Sequence, residues 1–473
     1  MTDLLPRAAP ESQGVPPEAL DRLTGALDAL GGTHTLMVLR RGDVIAETTW
    51  HPYERGSAHA LYSVSKSFTA VAVGLAIDEG AFGLDDTVLD LLPGAAPQHP
   101  SSRLSAMRVR HLLTMSTGHE TEPEFDGGDW ARETLAVDTQ LEPGSRFVYN
   151  TAATYLLSEI VQRTTGSTLT EYLWPRLFEP LGFARPFWLQ SPTGVDAGGF
   201  GLMLRPEELA VFGELLRAGG VWRGRRLVSA EWIAAATSKQ IANRSDDDDG
   251  DWAQGYGFQF WRCRHGAYRA DGAFGQFVVI MPEQECVVVV TGGTADMGAV
   301  LDAIWQVLLP ALGPGDPGDP GGPGASPIPS AAPRRSIPTP GGERVAGDVE
   351  YAYAGPIARL RLAPGAMWVD GVRFDCEPDR WSTGALTVTD ADGYPAWFGD
   401  RVAIAGGKHG DEIRIDVRPL QDAPTFTLRI GASGRLTITQ DVGFDRPDVW
   451  QGDPLDPQAS DDSARAHQST VSP

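Results

Sequence analysis

Ser63 and Lys66 stand three residues apart in Leu61-Tyr62-Ser63-Val64-Ser65-Lys66-Ser67-Phe68-Thr69-Ala70, ahead of the apolar run Val71-Ala72-Val73-Gly74-Leu75-Ala76-Ile77. A serine hydroxyl becomes a nucleophile only when a neighbouring base takes its proton. A lysine that loses its own proton on desolvation can be that base, whereas an arginine stays charged. The spacing predicts a helix opening near Ser63 and closing at Glu79-Gly80, where glycine takes a left-handed cap. On that helix the two side chains lie on one face, a turn apart. The helix dipole and free N–H groups at the same end favour negative charge on a serine oxygen or its adduct. Composition sharpens the reading: of 39 basic residues only Lys66, Lys239 and Lys408 are lysines, the rest being arginines. The chemistry these residues suit is acyl transfer.

Such chemistry needs a second proton-handling group and donors for a developing oxyanion. Tyr149, in Pro143-Gly144-Ser145-Arg146-Phe147-Val148-Tyr149-Asn150-Thr151, is the candidate for the first. The stretch Tyr268-Arg269-Ala270-Asp271-Gly272-Ala273-Phe274-Gly275-Gln276 is the candidate for the second, because its small residues let a strand backbone approach a ligand. His59 and His119 lie near these blocks and read as structural groups. No Gly-x-Ser-x-Gly elbow occurs in the chain.

Four blocks in order carry a resemblance: the Leu61–Thr69 stretch, His111-Leu112-Leu113-Thr114-Met115-Ser116-Thr117-Gly118, Phe147–Thr151, and Gly272-Ala273-Phe274-Gly275-Gln276. Over residues 10–310 the chain resembles the serine β-lactamase and penicillin-binding-protein superfamily, in its class C-like branch of esterases and aminohexanoate-oligomer hydrolases. The resemblance implies Ser63 as nucleophile, with Lys66 and Tyr149 sharing the base role. It implies an oxyanion hole of the Ser63 and Ala273 main-chain N–H groups beside Gly272, with Asn150 and Thr151 in the substrate-binding element. No metal and no cofactor are implied. Two departures stand out. The Tyr-x-Asn element carries Thr151 where asparagine is expected, with Asn150 one place earlier. The cation that opens the Lys-Thr-Gly element is replaced by Ala270.

The elements that must position these residues are legible in outline. Leu20, Leu23, Leu27 and Leu30 form one stripe of a helix over 17–30. Two short apolar runs around Arg41-Gly42-Asp43 predict a β-hairpin. A mostly helical region reaches residue 187, with helices at 110–115 and 154–161, the second closed by Gly166; another runs from Pro206 to Gly219-Gly220. Strands follow at 256–261, 276–280 and 286–290, then a helix at 297–309. The expected fold is α+β: an antiparallel sheet flanked by helices, with a helical lobe, over residues 1–312. A Pro/Gly-rich linker at 313–342 leads to a separate small all-β domain at 343–452, with period-two alternation such as Ile413-Ile415-Val417, and then a tail at 453–473 read as disordered.

Composition bounds the rest. The 42% hydrophobic and 21% charged content is that of a globular protein. The net charge of −23 argues against nucleic acid and anionic membranes as partners. The start Met1-Thr2-Asp3-Leu4-Leu5-Pro6-Arg7 lacks an apolar secretion core, which predicts a cytoplasmic location. Cys263, Cys286 and Cys376 are few and widely spaced, and read as free, partly buried thiols. The acidic run Ser245–Asp251 reads as a solvated loop. The expected activity is cleavage of a small-molecule ester or amide through an acyl-Ser63 intermediate. Alternatives are a catalytically silent binding or sensor protein and an acyltransferase, and the loss of the cation at Ala270 counts against β-lactam hydrolysis. The pattern fixes neither the substrate nor an oligomeric state.

Overall fold

The computed structural model describes residues 3–125, 127–243, 250–313, 334–387, 399–443 and 449–455. It divides into two compact units. The first gathers residues 1–49, 55–292 and 296–334; the second gathers 335–473 with 50–54 and 293–295.

In the first unit, helix α1 (Pro17–Leu30) precedes the hairpin of β1 (Thr33–Arg40) and β2 (Asp43–His51). Leu20, Leu23 and Leu27 of α1 are buried, while Leu30, at the helix end, is exposed. Strands β3 (Trp261–Arg262), β4 (Tyr268–Gly272), β5 (Gln276–Met281) and β6 (Cys286–Gly292) complete the sheet core, laid side by side as β2-β1-β6-β5-β4-β3. Every pairing among these strands is antiparallel. β5 and β6 are buried on both faces, as their unbroken apolar runs require. Helix α6 (Pro206–Arg217) lies on one face; a Cβ on its Gly213 would meet Val287 at 2.5 Å and Val278 at 2.8 Å, so this glycine sets how closely helix and sheet approach.

Between hairpin and returning strands sits the helical region. Tyr62–Val64 form one 3-10 turn that leads straight into α2 (Ser65–Asp78), with the chain leaving α2 at Glu79 and the left-handed Gly80. α2 is buried from Ser65 to Ala76. Its polar residues therefore bond to neighbouring segments: Ser65 Oγ donates to Tyr62 O, Ser67 Oγ to Gln259 O, and Thr69 Oγ1 to Gly198 O. Helix α5 (Thr151–Thr165), capped by left-handed Gly166, packs on α2, and α3 (Val109–Leu113) and α4 (Trp130–Ala136) pack on α5.

Three expectations need correction. The stretch 256–261 is not a strand: Tyr256 makes single bridges to Ile241 and Trp261, and only Trp261–Arg262 pair with β4. Gly257 packs against the Ala236 carbonyl and Gln259 takes a φ of 64°, so the chain turns back on itself there. The helix at 297–309 is α7 (Met297–Ala303) followed by a wider-wound coil over Ile304–Leu308. At the end of the acidic run, Asp251 is buried rather than solvated, accepting from Arg264 and from Trp305 Nε1. Residues 244–249 of that run, the linker core at 314–333 and the tail at 456–473 lie outside the described residues. All three cysteines are free and buried. Among the described residues, no helix is long and apolar enough to cross a membrane.

The second unit is all β. One antiparallel sheet holds β7 (Val349–Ala352), β8 (Arg359–Ala363), β9 (Ala366–Val369) and β10 (Val372–Asp375) in chain order. The other runs from β11 (Ser382–Ala385) through β12 (Arg401–His409), β13 (Glu412–Pro419), β14 (Phe426–Ile430) and β15 (Leu436–Gln440) to β16 (Val449–Gly452). Its core includes Leu360, Met367, Ile404, Ile415 and Leu428 from alternate positions of both sheets.

Gly74 offers a sharp check on the packing of α2. A Cβ there would sit 2.4 Å from the Trp232 ring. Gly74→Val is expected to lower stability by about 2–3 kcal/mol, because overpacking outweighs the gain from removing a helical glycine. A urea midpoint at or above that of the unmodified protein would contradict this.

Candidate active site

The site begins at the seam where the 3-10 turn meets α2. Ser63 is part-exposed while Lys66, one turn on, is buried at 1% exposure. Lys66 Nζ lies 3.1 Å from Ser63 Oγ, 3.2 Å from Thr151 Oγ1 and 2.9 Å from the Gly199 carbonyl oxygen. Burial lowers the Lys66 pKa from its ordinary value to about 7, opposed by the carboxylates of Glu122 and Asp271. A neutral amine has two N–H groups and one lone pair. It can donate to Thr151 and Gly199 and still accept the Ser63 proton, which matches the three contacts seen.

Thr151 is the first residue of α5. Its hydroxyl meets Lys66, so the threonine at the place of the expected asparagine still supplies an oxygen to the lysine. Asn150 is the N-cap of α5: Oδ1 accepts from Ala153 N at 2.9 Å and Nδ2 donates to Thr117 Oγ1 at 3.3 Å. Its polar atoms hold the helix start, and that engagement gives it a capping role. Glu122 adds a second cap, accepting from the N–H groups of Thr151 and Ala152.

Tyr149 comes to the same place. Its hydroxyl is hydrogen-bonded to Ser63, and its ring lies 5.0 Å from Lys66 Nζ. Burial raises its pKa well above the usual phenol value, the Ser63 bond opposing. The hydroxyl is therefore neutral across the physiological range and can pass a proton without holding a charge. Trp261 stacks on the ring at 5.5 Å and 25°.

The backbone of β4 and its turn closes the other side. A Cβ on Gly272 would lie 2.3 Å from the Leu61 carbonyl, so only glycine lets β4 pass this close to the nucleophile's turn. Ala273 follows, half-buried, its carbonyl accepting from Gln276 Nε2 at 3.0 Å. Phe274 (φ 66°) and Tyr62 (φ 47°) are both left-handed, with rings edge-on at 5.2 Å. Two non-glycine residues in that region flank the site, as strained backbone at functional positions commonly does. The structure thus gathers Ser63, Lys66, Tyr149 and Thr151 around one point, with Gly272 at the end of β4 and Ala273 in the turn that follows.

Two features were missed in sequence. Gly198-Gly199 roofs Lys66: a Cβ on Gly199 would lie 2.6 Å from Thr151 Cγ2 and 3.4 Å from Lys66 Nζ. The glycine pair in Ala197-Gly198-Gly199-Phe200-Gly201 was the available signal. The second is Arg269, fully buried on β4. It pairs with Asp271 at 2.7 Å, donates to the Asp251 carbonyl, and lies over Trp252 (4.6 Å) and Trp261 (5.6 Å). Ala270, between them, faces the opposite way and joins the apolar core beside Val278. His59 bonds His34 at 2.9 Å, and His119 bonds Thr117 and the Val137 carbonyl, so both imidazoles are engaged structurally.

Comparison with known proteins gives the family and the fold. A family model described as Beta-lactamase matches residues 20–308. The 6-aminohexanoate-dimer hydrolase of Paenarthrobacter ureafaciens is 26% identical over 321 residues, 61% of this chain and 82% of that protein. Penicillin-binding protein 4 of Amycolatopsis lactamdurans is 30% identical over 214 residues, 42% of this chain and 54% of that protein. The crystal structure of a penicillin-binding protein homolog from Caulobacter crescentus has the same fold, with a TM-score of 0.51 at 19% identity, covering 62% of this chain and 99% of that one. With the matched span exceeding half of its length, the chain belongs to the beta-lactamase family.

Proposed function

We propose that this serine hydrolase cleaves an uncharged ester or amide through an acyl-Ser63 intermediate. The observation that carries the reading is the buried Lys66 amine, 3.1 Å from Ser63 Oγ with its pKa brought to about 7. In this mechanism Ser63 Oγ attacks the substrate carbonyl carbon as its proton moves to Lys66 Nζ. The N–H groups of Ser63 and Ala273 hold the oxyanion. The leaving oxygen or nitrogen collects the proton from Lys66, relayed by the Tyr149 hydroxyl. Water then attacks the acyl-enzyme, giving its proton to the same groups, and Ser63 leaves with a proton restored. Lys66 is the principal base and Tyr149 the relay, because the lysine titrates near neutrality and the tyrosine stays neutral.

Charge around the site supports an uncharged substrate. The strand beside the nucleophile has Ala270 in the core and Arg269 neutralised by Asp271. An anionic group there would forgo a charge-assisted bond worth about 1.5–3 kcal/mol. Glu122 at the start of α5 adds repulsion. The Paenarthrobacter relative is named a 6-aminohexanoate-dimer hydrolase, which supports hydrolysis as the reaction class.

Ser63→Ala is expected to abolish turnover of p-nitrophenyl butyrate without unfolding the protein; a tenth or more of the activity remaining, about 1.4 kcal/mol of barrier or less, would remove Ser63 as nucleophile. Lys66→Arg keeps charge and most of the volume yet cannot release a proton, so near-normal rates in that variant would remove the base assignment.

The pH dependence has a definite sign. The active form is the neutral amine, so kcat/KM should fall on the acid side with a midpoint near 7. Glu122 favours the ammonium form, hence Glu122→Gln should move that midpoint to lower pH. An unmoved midpoint, or one moved upward, counts against Lys66 as the titrating group.

Substrate choice is read from kcat/KM for p-nitrophenyl butyrate against nitrocefin on one preparation, with the ester expected to be turned over much faster. A β-lactam value equal to or above the ester's would sink the uncharged-substrate reading. No turnover of any ester, amide or β-lactam would favour a silent binding protein instead.

A further inference from the structure

Tyr149 lies in a stretch, 147–150, that belongs to no helix or strand. The main chain beside it is anchored: Val148 N donates to the Met115 carbonyl at 2.8 Å, and Asn150 caps α5. The ring is a separate matter, because two side-chain torsions still decide where the hydroxyl points. A hydroxyl that must pass a proton between given atoms has little latitude, since a displacement of about 1 Å can cost about a hundredfold in rate.

Trp261 supplies the constraint. Its indole stacks on the Tyr149 ring at 5.5 Å and 25°, and stands edge-on to Phe147, two residues earlier in the same stretch, at 5.6 Å and 70°. Tyr256 meets the indole edge-on as well (4.9 Å, 84°). The sheet fixes the indole in turn. Trp261 pairs with Arg269 in the β3–β4 register, so the two side chains leave the same face as direct cross-strand neighbours. The guanidinium lies 5.6 Å from the indole ring centre. Arg269 is wholly buried and held by Asp271 at 2.7 Å, the Asp251 carbonyl at 3.0 Å and Cys263 Sγ at 3.1 Å. A chain of contacts thus runs from a buried ion pair, through the indole, to the phenol that bonds Ser63.

We infer that Trp261, backed by Arg269 and Asp271, is a positioning residue that holds the Tyr149 hydroxyl on Ser63 for proton delivery to the leaving group. The inference rests on the acyl-Ser63 reading. Packing alone does not call for this arrangement. Apolar side chains would fill the same face of the sheet without the desolvation cost that a buried ion pair carries. Ring pairs also set orientation, favouring offset-stacked and edge-to-face geometries, and the indole meets its three aromatic partners in these two ways.

Leaving-group dependence tests this, because the relay matters only when the departing oxygen needs a proton. 4-Nitrobenzyl butyrate and p-nitrophenyl butyrate are similar in shape and give the same butyryl-Ser63. The benzyl oxygen must take a proton as its C–O bond breaks, whereas p-nitrophenolate departs as the anion. For each ester kcat/KM reports acylation, and the quantity read is the 4-nitrobenzyl to p-nitrophenyl ratio. Tyr149→Phe is expected to lower that ratio roughly a hundredfold. Trp261→Leu should lower it roughly tenfold, and Trp261→Phe, which keeps a ring to stack, by less than about threefold. In the Tyr149→Phe background, Trp261→Leu should change the ratio no further. Trp261→Met carries the same test if the leucine variant does not fold. Equal losses on both esters in Trp261→Leu, a ratio lowered again on top of Tyr149→Phe, or one as low in Trp261→Phe as in Trp261→Leu overturns the positioning role alone. An unchanged ratio in Tyr149→Phe overturns the relay, and the positioning role with it. Fluorophosphonate labelling scores the nucleophile separately, since Ser63 Oγ bonds phosphorus while fluoride leaves with the serine proton. Absence of that Ser63 adduct by peptide mass overturns the acyl-enzyme reading itself.

Discussion

The structure around the site depends on one burial: an amine taken out of water at Lys66. A charged ammonium there is costly unless fully compensated, and the surroundings supply two neutral oxygens and a serine rather than a carboxylate in contact. That choice of partners lets the amine titrate near neutrality. It also explains the density of small and polar residues nearby. Gly198-Gly199 bring a carbonyl onto the lysine, Thr69 holds the Gly198 carbonyl in turn, and Gly272 lets β4 approach the Leu61 carbonyl.

Charges on the sheet side are handled by pairing. Arg269 is wholly buried, yet it has Asp271, the Asp251 carbonyl and two indole faces around it. Removing one partner of such a group is far costlier than the pair is favourable. Arg269 and Tyr149 both meet the Trp261 ring, and the Arg269–Asp271 pair keeps the strand next to the nucleophile close to neutral. Electrostatics at the reacting centre are then set by Lys66, with Glu122 and Asp271 as the carboxylates that oppose its deprotonation.

Much of this was legible in sequence, for identifiable reasons. The helix bearing Ser63 and Lys66, the hairpin at 33–51 and the strands at 276–281 and 286–292 follow from apolar pattern and glycine punctuation, which act over a few residues. Ser63 and Lys66 stood out by residue type and spacing, while their roles and that of Tyr149 came from the resemblance that four blocks carry. What sequence could not supply depends on distant contacts. Nothing local says that Asn150 caps a helix while Thr151 meets the lysine, that Gly199 roofs it, or that Arg269 rather than Ala270 faces the tryptophans. The stretch 256–261 was misread as a strand because its aromatic content imitates one, while Gly257 and Gln259 turn the chain. Asp251 was misread as solvated because its partners, Arg264 and Trp305, lie far along the chain.

The lysine content of the chain makes the central claim directly measurable. With only Lys66, Lys239 and Lys408 present, selective 13Cε-lysine labelling gives three side-chain signals. One of them is predicted to titrate with a midpoint near pH 7 and to vanish in Lys66→Arg. Three signals all titrating in the ordinary range of lysine, near 10, would show Lys66 to be a permanent cation and contradict its role as the base.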